Sequence, residues 1–214
     1  MNGVLFPGGA PLDCYFNKGW QVYSEAIKMN DAGIYFPLLG ICMGHELFAV
    51  YSSSKNWDVL SDKFSENVSV PVEFLVDDPI TETQMFADAT ADQINLYSTY
   101  DWAFQNHQHG VDLSEFDDPE LSAMFKPTST ATDPTHGDTF VNTMESERYP
   151  FFSMQNHPAK PAHTYYDYDG LNHSWESLQL NAFLGEFFVK KTRQSPNDPG
   201  SYEEVQAKII ENTT

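Results

Sequence analysis

The stretch Leu38-Leu39-Gly40-Ile41-Cys42-Met43-Gly44-His45-Glu46 sets a cysteine between two glycines, after an apolar run and before residues 43–51, which suit a helix. Strand, Gly-x-Cys-x-Gly, helix is the pattern of a nucleophile elbow with sulfur in place of oxygen. The glycines are needed because so tight a turn has no room for side chains beside the nucleophile. Cys42 would then stand at a helix N-terminus, where unpaired N–H groups and the helix dipole favour a thiolate. The amide of Met43 could stabilise an oxyanion. The competing reading is a buried cysteine in a Gly-rich turn. A thiolate nucleophile needs a base within hydrogen-bond reach. Of the seven histidines, His157 is the candidate, because Tyr149-Pro150-Phe151-Phe152-Ser153-Met154-Gln155-Asn156-His157-Pro158 reads as a strand ending at His-Pro. A residue at the C-terminal edge of a strand faces the crevice of an elbow on a neighbouring parallel strand.

The elements that would position this pair follow from pattern. Val4-Leu5-Phe6 reads as a strand stopped by Pro7-Gly8-Gly9, and residues 17–31 as a helix with Trp20, Tyr23, Ala26 and Ile27 on one face. Ile34–Leu39, Val68–Val76, Trp102–Asn106, Thr139–Met144 and Phe151–Gln155 read as strands. Ala91–Tyr97 and Trp175–Lys191 read as helices, the latter amphipathic through Leu178, Phe183, Leu184, Phe187 and Phe188. The acidic run Asp112–Glu120 reads as a solvated loop and helix start, and the Thr/Pro-rich Phe125–Gly137 as a loop. Strands and helices interleave, which is the α/β class. Residues 1–193 form one domain, and 194–214 a polar C-terminal extension.

Composition narrows the function. Against 31 acidic residues stand 11 basic ones, a net charge of −20 over 214 residues. A nucleic-acid binder needs clustered cations, so that class is excluded, and an anionic membrane surface is disfavoured. No apolar run approaches the roughly 20 residues that span a bilayer. Two cysteines are too few for a disulfide framework or a structural zinc cluster, and Cys14 reads as a bystander. His136 with Asp133 and Asp138 reads as a solvated polar loop, so no metal is expected. Sequons at Asn67, Asn172 and Asn212 barely exceed the roughly two expected by chance and are weak evidence of secretion. No signal peptide precedes Val4, so either the protein is cytosolic or its true N-terminus is missing.

Phe6-Pro7-Gly8-Gly9, Gly40-Ile41-Cys42-Met43-Gly44 and Tyr149-Pro150 with Gln155-x-His157-Pro158 together resemble the class I glutamine amidotransferase-like hydrolases. Within them the sequence is more similar to the gamma-glutamyl hydrolase family, cysteine peptidases that trim poly-γ-glutamate from folates. The likeness continues through Gln105-Asn106-His107, Gly110-Val111, Thr143-Met144-Glu145 and Ala182-Phe183-Leu184-x-Glu186-Phe187-Phe188, covering about residues 2–193. The resemblance implies a three-layer αβα sandwich with the active site at the C-terminal ends of its strands. It makes Cys42 the nucleophile, His157 the general base and then acid, and Gly9 and Met43 the oxyanion amides. It assigns Glu46, His107 and Gln155 to the substrate. Glu46 stands where true amidotransferases usually carry Gln, and a carboxylate there suits a positively charged α-amino group. The implied substrate is a small molecule, a poly-γ-glutamyl folate or γ-glutamyl peptide, cleaved through a thioester without cofactor. A homodimer is left open, and the family's habit points to a lysosomal or extracellular site.

The sequence departs from the family at two places. His157-Pro158-Ala159-Lys160 replaces the usual His-Pro-Glu-Lys, so the acid that would orient the histidine is absent,. A backbone carbonyl, Asp167 or Asp169 is the expected substitute. The N-terminal part of the fold, some tens of residues in the family, is also expected to be lacking, which would leave an apolar sheet edge open. Two alternatives follow: a catalytically weakened or inactive binding relative, and a glutaminase-type amidotransferase module. Because poly-γ-glutamate is a polyanion, local cations would have to hold it, and Lys18, Arg148 and Lys160 flank the motifs.

Overall fold

The structure, a computed structural model, describes residues 1–10, 13–165, 169–198 and 200–209. Its strands are β1 (Val4–Phe6), β2 (Leu38–Ile41), β3 (Leu60–Val70), β4 (Val72–Phe74), β5 (Ala103–Val111), β6 (Lys126–Thr132), β7 (Thr139–Glu145) and β8 (Phe151–Met154). Its helices are α1 (Asp13–Asp31), α2 (Met43–Ser52), α3 (Pro79–Glu82), α4 (Ala91–Thr99), α5 (Pro119–Met124), α6 (Lys160–His163), α7 (Trp175–Thr192) and α8 (Tyr202–Gln206).

Six strands form the central sheet in the order β1-β2-β8-β7-β6-β4, and β3 pairs with β5 in a separate antiparallel ribbon. β1, β2 and β8 are parallel to one another, with Phe6 opposite Gly40 and Ile41 opposite Met154. Successive side chains on a strand point to opposite faces, and the apolar residues of β2 and β8 divide accordingly. Leu38 and Phe151 join Phe6, Tyr23 and Phe48 in the core beneath α1 and α2. Leu39 and Phe152 join Tyr97, Leu184 and Phe187 in the core beneath α4 and α7. The fold is therefore α/β with three layers, helices covering both faces of a mixed sheet. Because β1, β2 and β8 run the same way, their C-terminal ends deliver Pro7–Gly9, Cys42 and Gln155–His157 to one rim.

α2 is buried at every position but Tyr51, so its placement is decided by packing on all sides. Gly44 lies in contact with the carbonyl of Phe6, and a Cβ on Gly40 would come within 2.5 Å of the Gly44 carbonyl. Glycine at both positions lets the helix start press against β1 and β2.

Several elements differ from the sequence reading. Val68–Val76 is two strands, because Pro71 has no N–H to donate to a ladder and the chain changes sheets there,. Val70 and Val72, both buried, keep the alternation going across the break. The loop expected over Phe125–Gly137 is mostly β6. Its Thr and Ser residues are strand formers whose hydroxyls pair inside the sheet, Thr128 with Thr143 at 2.7 Å and Ser129 with Thr143 at 2.6 Å,. The strand expected from Ile34 begins at Leu38, after Asn30 has bound the Phe36 amide and carbonyl at 3.1 and 2.9 Å. Trp20, expected inside, is 47% exposed and lies against Tyr23 and Tyr51. Asp118 and Asp133, expected in solvent, are buried. Asp118 caps α5 and accepts from Ser53 Oγ at 2.6 Å, and Asp133 accepts the Thr135 and His136 amides. Among the described residues no helix is long and apolar enough to cross a membrane.

A Gly44→Ala substitution is expected to destabilise the protein by about 1–3 kcal/mol through overpacking against β1, read as a lower urea midpoint at unchanged m-value.

Candidate active site

Cys42 joins β2 to α2 with φ 51° and ψ −112°, a left-handed backbone that a non-glycine residue adopts at a cost of about 1–3 kcal/mol,. Its amide donates to Met154 O at 2.9 Å, tying the elbow to β8, and its carbonyl accepts from Glu46 N at 3.0 Å, starting the helix. The backbone amides of Gly9 and Met43 both reach the sulfur. The thiol is nonetheless pushed up to about 12, first by burial and then by the Glu46 carboxylate, against the opposing pull of the two amides and the Lys160 ammonium. Burial thus opposes the thiolate that the helix N-terminus and the two amides favour,.

His157 stands across Gly8 from the sulfur. A Cβ on Gly8 would lie 2.8 Å from His157 Cε1 and 3.4 Å from Cys42 Sγ. The main-chain N–H of His157 donates to Phe104 O at 2.8 Å, and its ring bonds the Asn106 backbone. Nε2 is buried and makes no hydrogen bond. Burial, then Lys160 and His107, lower the imidazole to about 4, while the Asn106 bond opposes them. Ala159 is exposed on the cleft wall. Among the described residues no carboxylate bonds the ring. Asp169 is exposed and is not among the groups acting on it, and Asp167 lies outside the described residues. The cleft over the pair has a volume of about 500 Å³ and is lined by Pro7, Gly8, Cys42, Asn106, His157 and Lys160 among others.

Glu46 and Gln155 are both buried and joined, Gln155 Nε2 donating to Glu46 Oε1 at 2.9 Å. Burial raises the Glu46 carboxyl, and Gln155 and His109 hold it back. His107 bonds the His109 carbonyl through Nδ1 at 2.7 Å, sets its ring edge to Phe140 at 4.6 Å, and is lowered to about 4, chiefly by burial. Its Nε2, like Gln155 Oε1 and His45 Nε2, is buried and unpartnered. Cys42, His157, Gly9 and Met43 thus converge on one point, whereas Glu46, Gln155 and His107 do not line this cleft.

Of the three candidate cations, only Lys160 lines the cleft, its ammonium 5.7 Å from the Phe104 ring. Lys18 bonds Gln21 on the exposed side of α1. Arg148 precedes β8 and pairs with Asp31 at 3.2 Å, at the end of the sheet away from Cys42. Sequence reasoning missed two contributors. Tyr15 donates to Pro7 O at 3.0 Å and so braces the loop that carries Gly9. Asn106 acts through its carbonyl, which no side-chain type announces; only its place beside His107 in the motif pointed there.

Comparisons with known proteins bear on the family and the fold. The family model for glutamine amidotransferase class-I matches residues 2–165. Gamma-glutamyl hydrolase 1 of Arabidopsis thaliana is 31% identical over 99% of this chain and 60% of that protein. Gamma-glutamyl hydrolase B of Dictyostelium discoideum is 29% identical over 98% and 60%, and the gamma-glutamyl hydrolase of Bos taurus 29% over 99% and 66%. The chain spans about 60% of the length of the first two. A solved glutamine amidotransferase from Thermotoga maritima has a TM-score of 0.55 at 15% identity, over 90% of this chain and 79% of that one. That likeness bears on the fold alone.

Iodoacetamide at pH 7.5 is expected to alkylate the exposed Cys14 at least about tenfold faster than Cys42, since the thiolate is the reactive form. Peptide mass spectrometry over a time course reads both rates.

Proposed function

The chain belongs to the class I glutamine amidotransferase family, and from that premise we propose that it is a cysteine hydrolase of γ-glutamyl bonds, acting on poly-γ-glutamyl folates. The observation that carries this reading is the convergence of two backbone amides, those of Gly9 and Met43, on a strained elbow cysteine beside an unpartnered imidazole nitrogen. The catalytic unit is assigned to residues 1–193.

The reaction starts from a neutral pair. The γ-carbonyl enters the cleft and Cys42 Sγ attacks its carbon as the thiol proton passes to His157 Nε2. The carbonyl oxygen becomes an oxyanion and accepts from the Gly9 and Met43 amides, which are in place beforehand and cost no reorganisation. Collapse breaks the C–N bond, and the amine leaves with the proton from His157. Water then attacks the thioester, giving its proton to His157, and collapse releases the shortened chain with its new γ-carboxyl group as that proton returns to the sulfur. Glu46, held by Gln155 behind the cleft, adds negative charge that suits the free α-amino group of a γ-glutamyl peptide, whereas the α-nitrogens of a folate poly-γ-glutamate are acylated and uncharged. Lys160 is the local cation for a carboxylate of the chain. It offsets the repulsion between a polyanionic substrate and a protein of net charge −20,.

With its imidazole lowered to about 4, His157 stays a proton acceptor in mildly acidic surroundings. The family's habit is the ground for placing the protein's action in a lysosomal or extracellular setting, and a base that stays unprotonated in mild acid is compatible with the former.

Glutamate release from a folate poly-γ-glutamate is the test. Cys42→Ala is expected to lower kcat by about 10³-fold or more, and His157→Gln by about 10²-fold or more. Absence of release by the folded wild-type protein, or ammonia release from free glutamine in its place, would overturn the assignment. For the free enzyme, kcat/KM is expected to fall as pH drops through about 4, where His157 takes up a proton and ceases to be a base.

A further inference from the structure

The imidazole of His157 is held without an acid, and the ribbon of β3 and β5 explains how. β5 pairs on one side with β3 and leaves its other edge unpaired in the sheets. Carbonyls two residues apart on a strand point the same way. Phe104 O takes the main-chain N–H of His157 at 2.8 Å, so Asn106 O faces the same way, toward His157. That carbonyl takes the ring. His157 is thus docked on the open edge of β5 at two points, one main-chain and one side-chain.

The Asn106 peptide is itself fixed from the opposite side. The β3–β5 register shifts between the Ser65–His107 and Val68–Gln105 pairs, so two residues of β3 stand opposite Asn106 alone. In such a bulge one amide loses its ladder partner. Here the amide is that of Asn67, which has φ 52°, and it donates to Asn106 Oδ1 at 3.2 Å. Asn67 is pinned in turn: its Oδ1 accepts the Gly170 amide at 3.2 Å, and Ser69 Oγ donates to Gly170 O at 2.6 Å. Gly170 lies in direct contact with the Asn67 carbonyl, where a side chain would not fit.

We infer that Asn106 is the positioning residue that stands in for the missing acid, its side chain clamped by the Asn67 bulge so that its carbonyl holds Nδ1–H of His157 and leaves Nε2 as the lone-pair nitrogen facing the sulfur. This builds on the assignment of His157 as the base. Orientation and tautomer are what a carboxylate contributes in a triad besides charge, and a peptide carbonyl supplies both.

The test joins a spectroscopic readout, which needs no turnover, to kinetics. Long-range ¹H–¹⁵N NMR of histidine-labelled protein at pH 7, with His157 assigned by its loss in His157→Gln, is expected to show the Nδ1–H tautomer in the wild type. Asn106→Ala is expected to convert that signal into a mixture of tautomers and to lower kcat by about tenfold or more, with KM within about twofold. Asn106→Asp, which keeps an acceptor for the Asn67 amide, is expected to keep the wild-type ring signal. Adding Ala159→Glu to Asn106→Ala is expected to recover kcat and to raise the pH at which the imidazole titrates. An Nε2–H tautomer in the wild type overturns the inference without any variant. So does a folded Asn106→Ala with an unchanged ring signal, or an Asn106→Asp whose ring signal is as mixed as that of Asn106→Ala. A wild type with the expected tautomer but no turnover leaves the positioning intact and removes the proposed activity instead.

Discussion

The site depends on backbone contact between the start of α2 and the end of β1. Gly44 lies in contact with the Phe6 carbonyl, and Gly40 lies beneath the Gly44 carbonyl, so the helix N-terminus sits directly on two parallel strands. That contact brings two distant amides to one sulfur. Met43 is the first residue of α2 and Gly9 is three residues past the end of β1. Any side chain at position 44 would open a gap at that junction, and the Gly9 loop would retreat with β1. The positive φ of Cys42 is sustained by the same packing, since α2 is anchored by buried apolar residues such as Leu47, Phe48 and Val50. The conformational strain at one residue is small beside what that many buried side chains contribute.

Burial decides the charge state of the pair. A thiol near 12 and an imidazole near 4 are separated in the direction that disfavours an ion pair. The same burial is responsible for both, because it penalises thiolate and imidazolium alike. Glu46 and Lys160 add to it, one raising the thiol and the other lowering the imidazole. The amides of Gly9 and Met43 pull the other way. They matter when negative charge passes to a carbonyl oxygen in a cleft from which substrate has displaced water, where each hydrogen bond is worth more.

What could be read from the sequence and what could not divides along a physical line. The elbow was legible because its glycines answer a backbone requirement, and backbone requirements leave residue types behind. Leu38-Leu39 and Phe151-Phe152 were legible as strands, but the two cores they divide between were not, because the split shows only once both faces of the sheet are covered. β6 was not, because buried Thr and Ser resemble loop composition until their hydroxyls find partners across the sheet. Pro71 was visible as a residue but not as a change of sheet, since Val70 and Val72 are buried on both sides of it. Arg148 looked close to the site in sequence, yet it enters β8 at the opposite end of the strand from His157. Asn106 lay in a recognisable motif, but a carbonyl carries no signature in the residue type that bears it.

The exchange of an acid for a carbonyl fits the electrostatics of this chain. A carboxylate at position 159 would stand on the wall of a cleft that already has Glu46 behind the sulfur, in a protein of net charge −20. A second negative charge there would push the thiol further up and repel the carboxylates of a γ-glutamyl chain. It would also compete for Lys160, which lines the same cleft. The carbonyl of Asn106 orients the imidazole and selects its tautomer while adding no net charge. The cost falls on basicity, since a peptide dipole stabilises imidazolium less than a carboxylate does. Such a base is weak at neutral pH, but it remains unprotonated in acid, where a histidine paired with a carboxylate would already be carrying its proton. The orientation required by the chemistry is thus obtained from the β3–β5 ribbon without a further negative charge in the cleft.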